Sequence, residues 1–190
     1  MKWLFGSPLE LETENFILKS IDAEKFPEVI VNWFSDPETM KFMNDPMNLT
    51  RQQLSQYFSA YNNKEKIALL ITDKKTQKPI GIFRIYLEHH SALGMTSILI
   101  GDKDFWGQNV VLEVRERAIL FLFTGVKLNK ICGYVRARNF PALFNYTRQK
   151  FVKEGIRKQQ IRNHSGQLDD VIEFALFKEA WAKDRQERKS

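Results

Sequence analysis

The segment from Ile98 to Val111 contains the residues of this chain that are best placed to bind an anion. It reads ILIGDKDFWGQNVV, in which an apolar run is followed by a polar loop with two glycines and then by a helical pattern. Backbone N–H groups at a helix start lack intrahelical partners and carry the positive end of the helix dipole, so the segment suits a phosphate or pyrophosphate. It also fits a tight strand-to-helix connection with Asn109 as N-cap and Trp106 as a core aromatic. The spacing alone leaves both interpretations open.

A second candidate group lies at Asn139–Tyr146, where a helical pattern follows a strand pattern. Asn139 and Tyr146 are seven residues apart, which at 3.6 residues per turn brings them to within about 20° of one helix face. Ala142 lies between them and leaves room for a narrow ligand. An amide and a phenol could then contact the same molecule. Taken alone, the spacing favours the alternative that Tyr146 is a half-buried core residue with its hydroxyl in water.

Residues suited to metal binding or disulfide formation are few. The chain has one cysteine, Cys132, and three histidines, so it can form no internal disulfide and offers no set of ligands for zinc. We therefore predict a protein without a metal. Such cysteine usage is typical of a reducing compartment, and we expect a cytoplasmic location.

The elements that must position these residues alternate between strand and helix. Strands are predicted at 14–21, 66–72, 80–88, 95–100 and 130–135, with two more between 156 and 177 around a turn at 163–166. Helices are predicted from Asp22 to Phe34, from Thr50 onward, over 110–124 and over 141–149. Asp22 is expected to cap the first helix, Thr50 and Gln53 to form a capping box, and Gly125 to end the central helix in a left-handed conformation.

Length, composition and charge indicate one globular domain. The chain has 190 residues, 43% of them hydrophobic, and at this length one core can bury roughly 70% of the unfolded surface. We expect a single domain over 1–190, with 178–190 as a charged helix or tail. The longest apolar run, 118–123, is far below the ~18 residues of a membrane span, and we expect neither a signal peptide nor a membrane partner.

The net charge of +6 is spread along the chain rather than gathered in one block. It permits attraction to an anionic ligand and mildly favours an anionic acceptor substrate. Because no zinc finger, aromatic RNA-binding signature or helix-turn-helix pattern accompanies it, we do not expect nucleic acid as a direct partner.

Six segments together resemble one known family. They are Leu11–Leu18, Trp33–Glu38, Ile100–Gly107, Leu128–Ile131, Asn139–Tyr146 with the following Phe151 and Glu154–Gly155, and Asp170–Trp181. In this order they resemble the GNAT superfamily of N-acetyltransferases, specifically the branch of ribosomal-protein N-terminal and nucleotide-aminosugar acetyltransferases. The resemblance implies an α/β (α+β) fold with a mixed, mostly antiparallel sheet that splays at its centre and is flanked by helices.

The resemblance also implies a site for acetyl-CoA, between the strand at 96–100 and the strand at 130–135. Main-chain groups of the first strand would contact the pantetheine arm and the acetyl carbonyl, and loop amides would receive the pyrophosphate. The implied cofactor-binding residues are Ile98, Leu99, Ile100, Gly107, Gln108, Asn109, Val110, Val111 and Asn139. Tyr146 matches the tyrosine that protonates the departing thiolate.

The chain departs from the family pattern at three positions. Asn109 and Val111 occupy positions at which the family has small residues, and Lys150 replaces the glycine before Phe151. Asparagine tolerates left-handed geometry, whereas a β-branched residue does so poorly. We therefore expect helical geometry at Val111.

The implied reaction is transfer of acetyl to a primary amine of a small molecule, such as a nucleotide-linked aminosugar, or to a protein N-terminus. No nucleophile is paired with a base in the sequence, and Cys132 lies within a strand, so direct transfer is favoured over an acetyl-enzyme. The general base is not evident; candidates are Glu88, His89, His90 and, through water, Asp170. Trp33 and His89 are predicted to contact the acceptor. The alternative is a catalytically degenerate CoA-sensing or interaction module of the same fold, and the protein is expected to be a monomer or homodimer.

Overall fold

The computed structural model describes residues 3–187, which contain one eight-stranded sheet with the order β1-β2-β3-β4-β5-β6-β8-β7. The strands are β1 (Glu10–Glu12), β2 (Phe16–Ser20), β3 (Lys66–Asp73), β4 (Pro79–Glu88), β5 (Leu93–Ile100), β6 (Lys130–Arg136), β7 (Val152–Arg162) and β8 (Leu168–Phe177). Neighbouring strands are antiparallel throughout this sheet except for β5 and β6, which are parallel. Because a parallel pair needs a crossover, the chain between them forms a helix.

Helices cover both faces of the sheet. They are α1 (Val29–Ser35), α2 (Pro37–Met40), α3 (Arg51–Ser59), α4 (Val110–Phe121), α5 (Phe140–Arg148) and α6 (Lys178–Glu187), with a 3₁₀ turn at Lys103–Phe105 and a π-helical turn at Leu122–Val126. Side chains alternate across each strand, so in β4 Ile82 packs with α1 and α3 whereas Phe83 and Ile85 pack with α4. Among residues 3–187, no helix combines the length and the apolarity needed to cross a membrane.

The central parallel pair is short. Strands β5 and β6 are paired at Leu93 with Lys130, Gly94 with Ile131 and Met95 with Cys132, and the pairing stops there. Beyond that point β5 stays paired with β4 up to Ile100, and β6 stays paired with β8 up to Arg136. Each strand is therefore held on its outer side while the two inner edges separate, and the expected splay of the sheet is confirmed.

Local capping signals were predicted with mixed success. The capping box at Thr50 is confirmed, since the Thr50 N–H donates to Gln53 Oε1 at 2.9 Å and the Gln53 N–H donates to Thr50 Oγ1 at 3.3 Å. The helix from Asp22 is wrong: Asp22 Oδ1 accepts from the Glu24 N–H within a turn, and the helix begins at Val29. Pro27 is the physical reason, because proline disfavours helical geometry in the residue before it.

Several element boundaries also differ from those predicted. Gly125 does not end the central helix, because the π-helical turn continues through it and the left-handed residue is Lys127, with φ 70°. The strand predicted to start at 156 starts at Val152. Residues 178–187 of the expected charged tail form α6, and residues 188–190 lie outside the described part of the chain.

A glycine at the end of β5 allows α1 to pack against the sheet. The Trp33 indole is 4% exposed and lies so close to Gly101 that a Cβ atom there would overlap the ring. We predict that Gly101→Ala lowers the free energy of unfolding by about 2 kcal/mol, since a packed core resists added volume. Urea denaturation measures this change.

The matched control is Gly155→Ala in β7, where the nearest atom to the added carbon is Glu173 Oε2 at 3.7 Å. This change should alter stability by less than about 0.5 kcal/mol. Equal losses in the two variants would contradict the packing argument.

Candidate active site

A cleft of about 560 Å³ lies beside the end of β5, beyond the last residue of β5 that pairs with β6. Its walls are the end of β5, the loop and first turns of α4, the start of α5, and the segment from Glu38 to Met43. The structure brings eight of the nine predicted cofactor residues to this cleft: Ile98, Leu99, Ile100, Gly107, Asn109, Val110, Val111 and Asn139. Val111 lines the space without closing it, and it lies in the first turn of α4 as expected.

The loop before α4 reverses through two left-handed residues. Gly107 has φ 78° and Asn109 has φ 62°, and glycine and asparagine are the residues that adopt this conformation at least cost. The Asn109 side chain makes no capping hydrogen bond in the described structure. The first N–H groups of α4 are therefore not covered by a side-chain cap, and they belong to residues that line the cleft.

Two residues of this loop hold it in place. Trp106 Nε1 donates to the Ile100 carbonyl at 2.9 Å, and Gln108 Nε2 donates to the Asp104 carbonyl at 2.5 Å. Trp106 is 41% exposed and lines the cleft, so it is not the core aromatic of the simpler interpretation. The Gln108 side chain is exposed and does not line the cleft.

The structure separates the two residues of the second candidate group: Asn139 lines the cleft, whereas Tyr146 is buried beside it and does not line it. Asn139 Oδ1 accepts from the Ala142 N–H at 3.2 Å and so caps α5, while Asn139 also lines the cleft. Tyr146 is 4% exposed, and its ring stacks on Phe174 at 5.0 Å. Its hydroxyl lies against Gly133, where a Cβ atom would overlap it. Gly133 directly follows Cys132, the last residue of β6 that pairs with β5. The phenol therefore lies at the level where β5 and β6 separate.

Arg115 is a cleft residue that the sequence reasoning missed. Its side chain is 2% exposed, its guanidinium carbon lies 4.1 Å from the centre of the Tyr146 ring, and Nη1 donates to Gln149 Oε1 at 3.2 Å. Arg115 Nε has no partner in the described structure. Burial lowers the pKa of Arg115 below its ordinary value. A cation beside Val114 on the apolar face of the helix was the signal in the sequence that could have indicated it.

The two residues predicted to contact the acceptor lie elsewhere. Trp33 of α1 is buried against Gly101 and does not line the cleft. His89 is exposed in the turn between β4 and β5, with Nε2 3.1 Å from the Lys64 carbonyl. This turn is at the opposite end of β5 from Ile98–Ile100, because β5 runs the length of its eight residues between them. The structure brings neither side chain to the cleft.

The two carboxylates that were candidates for the general base, Glu88 and Asp170, have structural partners. Glu88 accepts from the N–H groups of His90 and Ser91, each at 2.9 Å, and these hydrogen bonds lower the pKa of Glu88. Asp170 accepts from Lys158 Nζ at 2.8 Å and pins the β7–β8 hairpin. Neither carboxylate lines the cleft.

Two buried arginines instead hold the segment that borders the cleft. Arg84 of β4 donates to both oxygens of Asp45, at 2.6 and 2.9 Å. Arg136 of β6 donates to Asn44 Oδ1 at 2.6 Å and to Asp169 at 2.8 Å. Because these arginines come from strands on either side of the opening, they fasten the segment at Asn44 and Asp45 across it.

Comparison with known proteins agrees with this architecture. A parallel pair that separates within an otherwise antiparallel sheet, facing a helix start, defines a GNAT-type acyltransferase fold. The model of the acetyltransferase (GNAT) domain matches residues 15–147, more than half of the chain. The chain therefore belongs to the GNAT acetyltransferase family.

Individual relatives are distant. "Uncharacterized N-acetyltransferase p20" of Bacillus licheniformis is 26% identical over 179 residues, covering 90% of this chain and 98% of the relative. A GNAT-family acetyltransferase structure from Bacillus anthracis has a TM-score of 0.78 at 13% identity, covering 90% of this chain and 99% of that one. Spermidine N-acetyltransferase from Vibrio cholerae, in complex with CoA and spermine, has a TM-score of 0.78 at 17% identity, covering 88% and 98%. The branch within the family stays a prediction.

The left-handed geometry at Asn109 gives a test of the loop. We predict that Asn109→Ala lowers the free energy of unfolding by about 1 kcal/mol, because a Cβ-bearing residue without a polar side chain is strained at positive φ. Asn109→Gly should retain the stability of the parent protein. Chemical denaturation of both variants measures the difference, and an alanine variant as stable as the glycine variant would rule out the strain.

Proposed function

We propose that this chain is an acetyl-CoA-dependent N-acetyltransferase that moves acetyl directly to a primary amine of a small molecule or of a protein N-terminus. The observation that carries the proposal is the open cleft at the splay, with the uncapped start of α4 on its wall and the Tyr146 hydroxyl at the point where the strands separate. The strands provide edge peptide groups, the helix provides free amides, and the phenol provides a proton.

The residues present fit acetyl-CoA. The cleft offers open space at Gly107, where a Cβ atom would meet nothing within 4 Å, and a buried donor without a partner at Arg115 Nε. Buried donors are normally paired, so an unpaired one in a cleft wall suits a ligand rich in carbonyl and phosphate oxygens. Main-chain groups of Ile98–Ile100 would hold the pantetheine arm with Asn139, and the amides of Asn109–Val111 would hold the pyrophosphate. When bound, acetyl-CoA supplies an acetyl group activated as a thioester.

Tyr146 would hold a proton at the leaving sulfur. A phenol hydroxyl donates one hydrogen bond, and general-acid help of this kind typically contributes 10²–10⁴-fold. The stack on Phe174 and the contact with the Arg115 guanidinium fix the ring. The hydroxyl is therefore held in one place while the ligand binds, and positioning of this kind contributes to catalysis in its own right.

The state of Cys132 supports direct transfer. This cysteine is half-buried in β6, and burial raises the pKa of its thiol above the ordinary value. The thiolate is the nucleophilic form, so Cys132 is poorly suited to carry an acetyl group. Direct attack by the amine needs no covalent intermediate on the protein.

The departures from the family pattern do not argue for a degenerate module. Lys150 has φ 64° and takes the left-handed conformation that glycine adopts readily, as Asn109 does in the loop. Val111 is helical and leaves the cleft open. These observations favour the enzyme over the sensing or interaction module.

We predict that acetyl-CoA binds with a Kd below about 100 μM. Isothermal titration calorimetry measures it. Val111→Trp should abolish binding because the indole would project from the wall and fill the cleft. Val152→Trp, at a 51% exposed position in β7, should bind acetyl-CoA as the parent protein does. Absence of heat at millimolar acetyl-CoA would remove the proposal.

We predict that Tyr146→Phe lowers kcat about 100-fold, because it removes the proton donor and keeps the ring. The Kd of acetyl-CoA should change less than about twofold. Thiol release is measured with spermidine, an alanine-terminated peptide and a nucleotide-linked aminosugar as acceptors. The control is Tyr134→Phe, an exposed phenol on the same strand as Gly133. Unchanged turnover in Tyr146→Phe would show that this phenol is not the acid.

A further inference from the structure

A chain of phenol hydroxyls runs beneath the segment that borders the cleft. Tyr57 Oη donates to Asp45 Oδ1 at 2.8 Å, Tyr57 and Tyr61 share a hydrogen bond of 2.9 Å, and Tyr61 and Tyr86 share another of 2.9 Å. Arg84 donates to both Asp45 and Tyr57. These hydrogen bonds link the buried ion pair of Arg84 and Asp45 to Tyr86, which lies two residues after Arg84 on β4.

The Arg84–Asp45 ion pair fixes the direction of every hydrogen bond in this series of phenol hydroxyls. Burial by itself would raise the pKa of Asp45, but the hydrogen bonds and charge of Arg84 outweigh it and leave that pKa below its ordinary value. Asp45 is therefore ionised and can only accept. The single proton of Tyr57 goes to Asp45, so Tyr61 must donate to Tyr57, and Tyr86 must in turn donate to Tyr61.

Tyr86 consequently presents only lone pairs to its remaining surroundings. Burial raises the pKa of Tyr86 above its ordinary value, so the phenol stays neutral and its one proton stays on the bond to Tyr61. Its side chain is only partly buried. The lone pairs of the Tyr86 oxygen that face away from Tyr61 are thus an acceptor site for an external donor.

The register places Tyr86 itself level with the point at which the sheet opens. Tyr86 pairs with Met95, and Met95 pairs with Cys132 at the last contact between β5 and β6. Tyr86 shares the face of Ile82 and Arg84, which is covered by α1–α3, whereas Tyr146 lies on the face covered by α4. The two phenols therefore approach the splay from opposite faces at the same level of the sheet.

We propose that the Tyr86 hydroxyl oxygen accepts a hydrogen bond from the N–H of the acceptor amine and orients it for attack. The inference rests on the proposed function and adds to it a residue that binds the acceptor. An amine has N–H groups to donate, and the fixed direction of the chain makes Tyr86 complementary to a donor and not to a carbonyl. The amine proton is not stored on Asp45, because Arg84 keeps that carboxylate ionised.

The experiment uses two conjugates and needs no knowledge of the natural acceptor. In the first, the sulfur of coenzyme A is joined through –CH₂–C(O)– to the nitrogen of n-butylamine, so its amide N–H stands where the amine N–H stands during transfer. The second carries a methyl group on that nitrogen and has no N–H. Calorimetry on the full chain should give at least fivefold tighter binding of the N–H conjugate.

Tyr86→Phe should remove this preference and leave the Kd of acetyl-CoA within about twofold. Tyr61→Phe is the comparison variant: it frees the Tyr86 proton but keeps the Tyr86 oxygen as an acceptor, so the preference should weaken without being lost. Thermal unfolding establishes that the variants are folded.

Equal binding of the two conjugates to the parent protein would overturn the assignment, and this arm holds even if Tyr86→Phe fails to fold. Retention of the preference in Tyr86→Phe, or equal loss of it in Tyr61→Phe, would also overturn it. Failure of the proposed function is distinguishable, because acetyl-CoA itself would then not bind.

Discussion

The structure depends on the point at which β5 and β6 stop pairing. Backbone N–H and C=O groups inside a protein must find partners, and after Met95 and Cys132 the inner edges of both strands lose theirs. The outer edges stay fully paired with β4 and β8, so the sheet holds together while its centre opens. An opening of this kind exposes two rows of peptide groups to whatever enters, and a cofactor with amide and carbonyl groups along its arm is suited to satisfy them.

Buried arginines organise the surroundings of this opening. Arg84 and Arg136 are each 4% exposed, and each is paired with a carboxylate, Asp45 or Asp169. Pairing of this kind is what makes burial of a charge tolerable. Arg115 differs, because its partners in the described structure are an amide and an aromatic face. The difference matches their positions: the paired arginines fasten chain segments, and Arg115 stands in the cleft wall.

The sequence supported the prediction of the fold and of most of the cleft. Those features rest on signals between residues close in the chain, such as the apolar strand running into Gly101 and the Asn-containing turn before α4, and eight predicted residues do line the cleft. Trp33 and His89 could not be placed from the sequence. An indole on a helix serves a pocket or a core equally well, and only the close approach of Gly101 shows that it is in the core.

What the sequence by itself determined is most of the elements and the tolerance of left-handed geometry at Gly107 and Asn109, since propensity, capping and left-handed tolerance act over a few residues. What only the tertiary structure decided is which distant side chains share an environment. Arg115 meets Tyr146, and Asp45 meets Arg84 and Tyr57, across 12 to 39 positions of the chain. Such contacts follow from strand register and helix packing, and no local pattern encodes them.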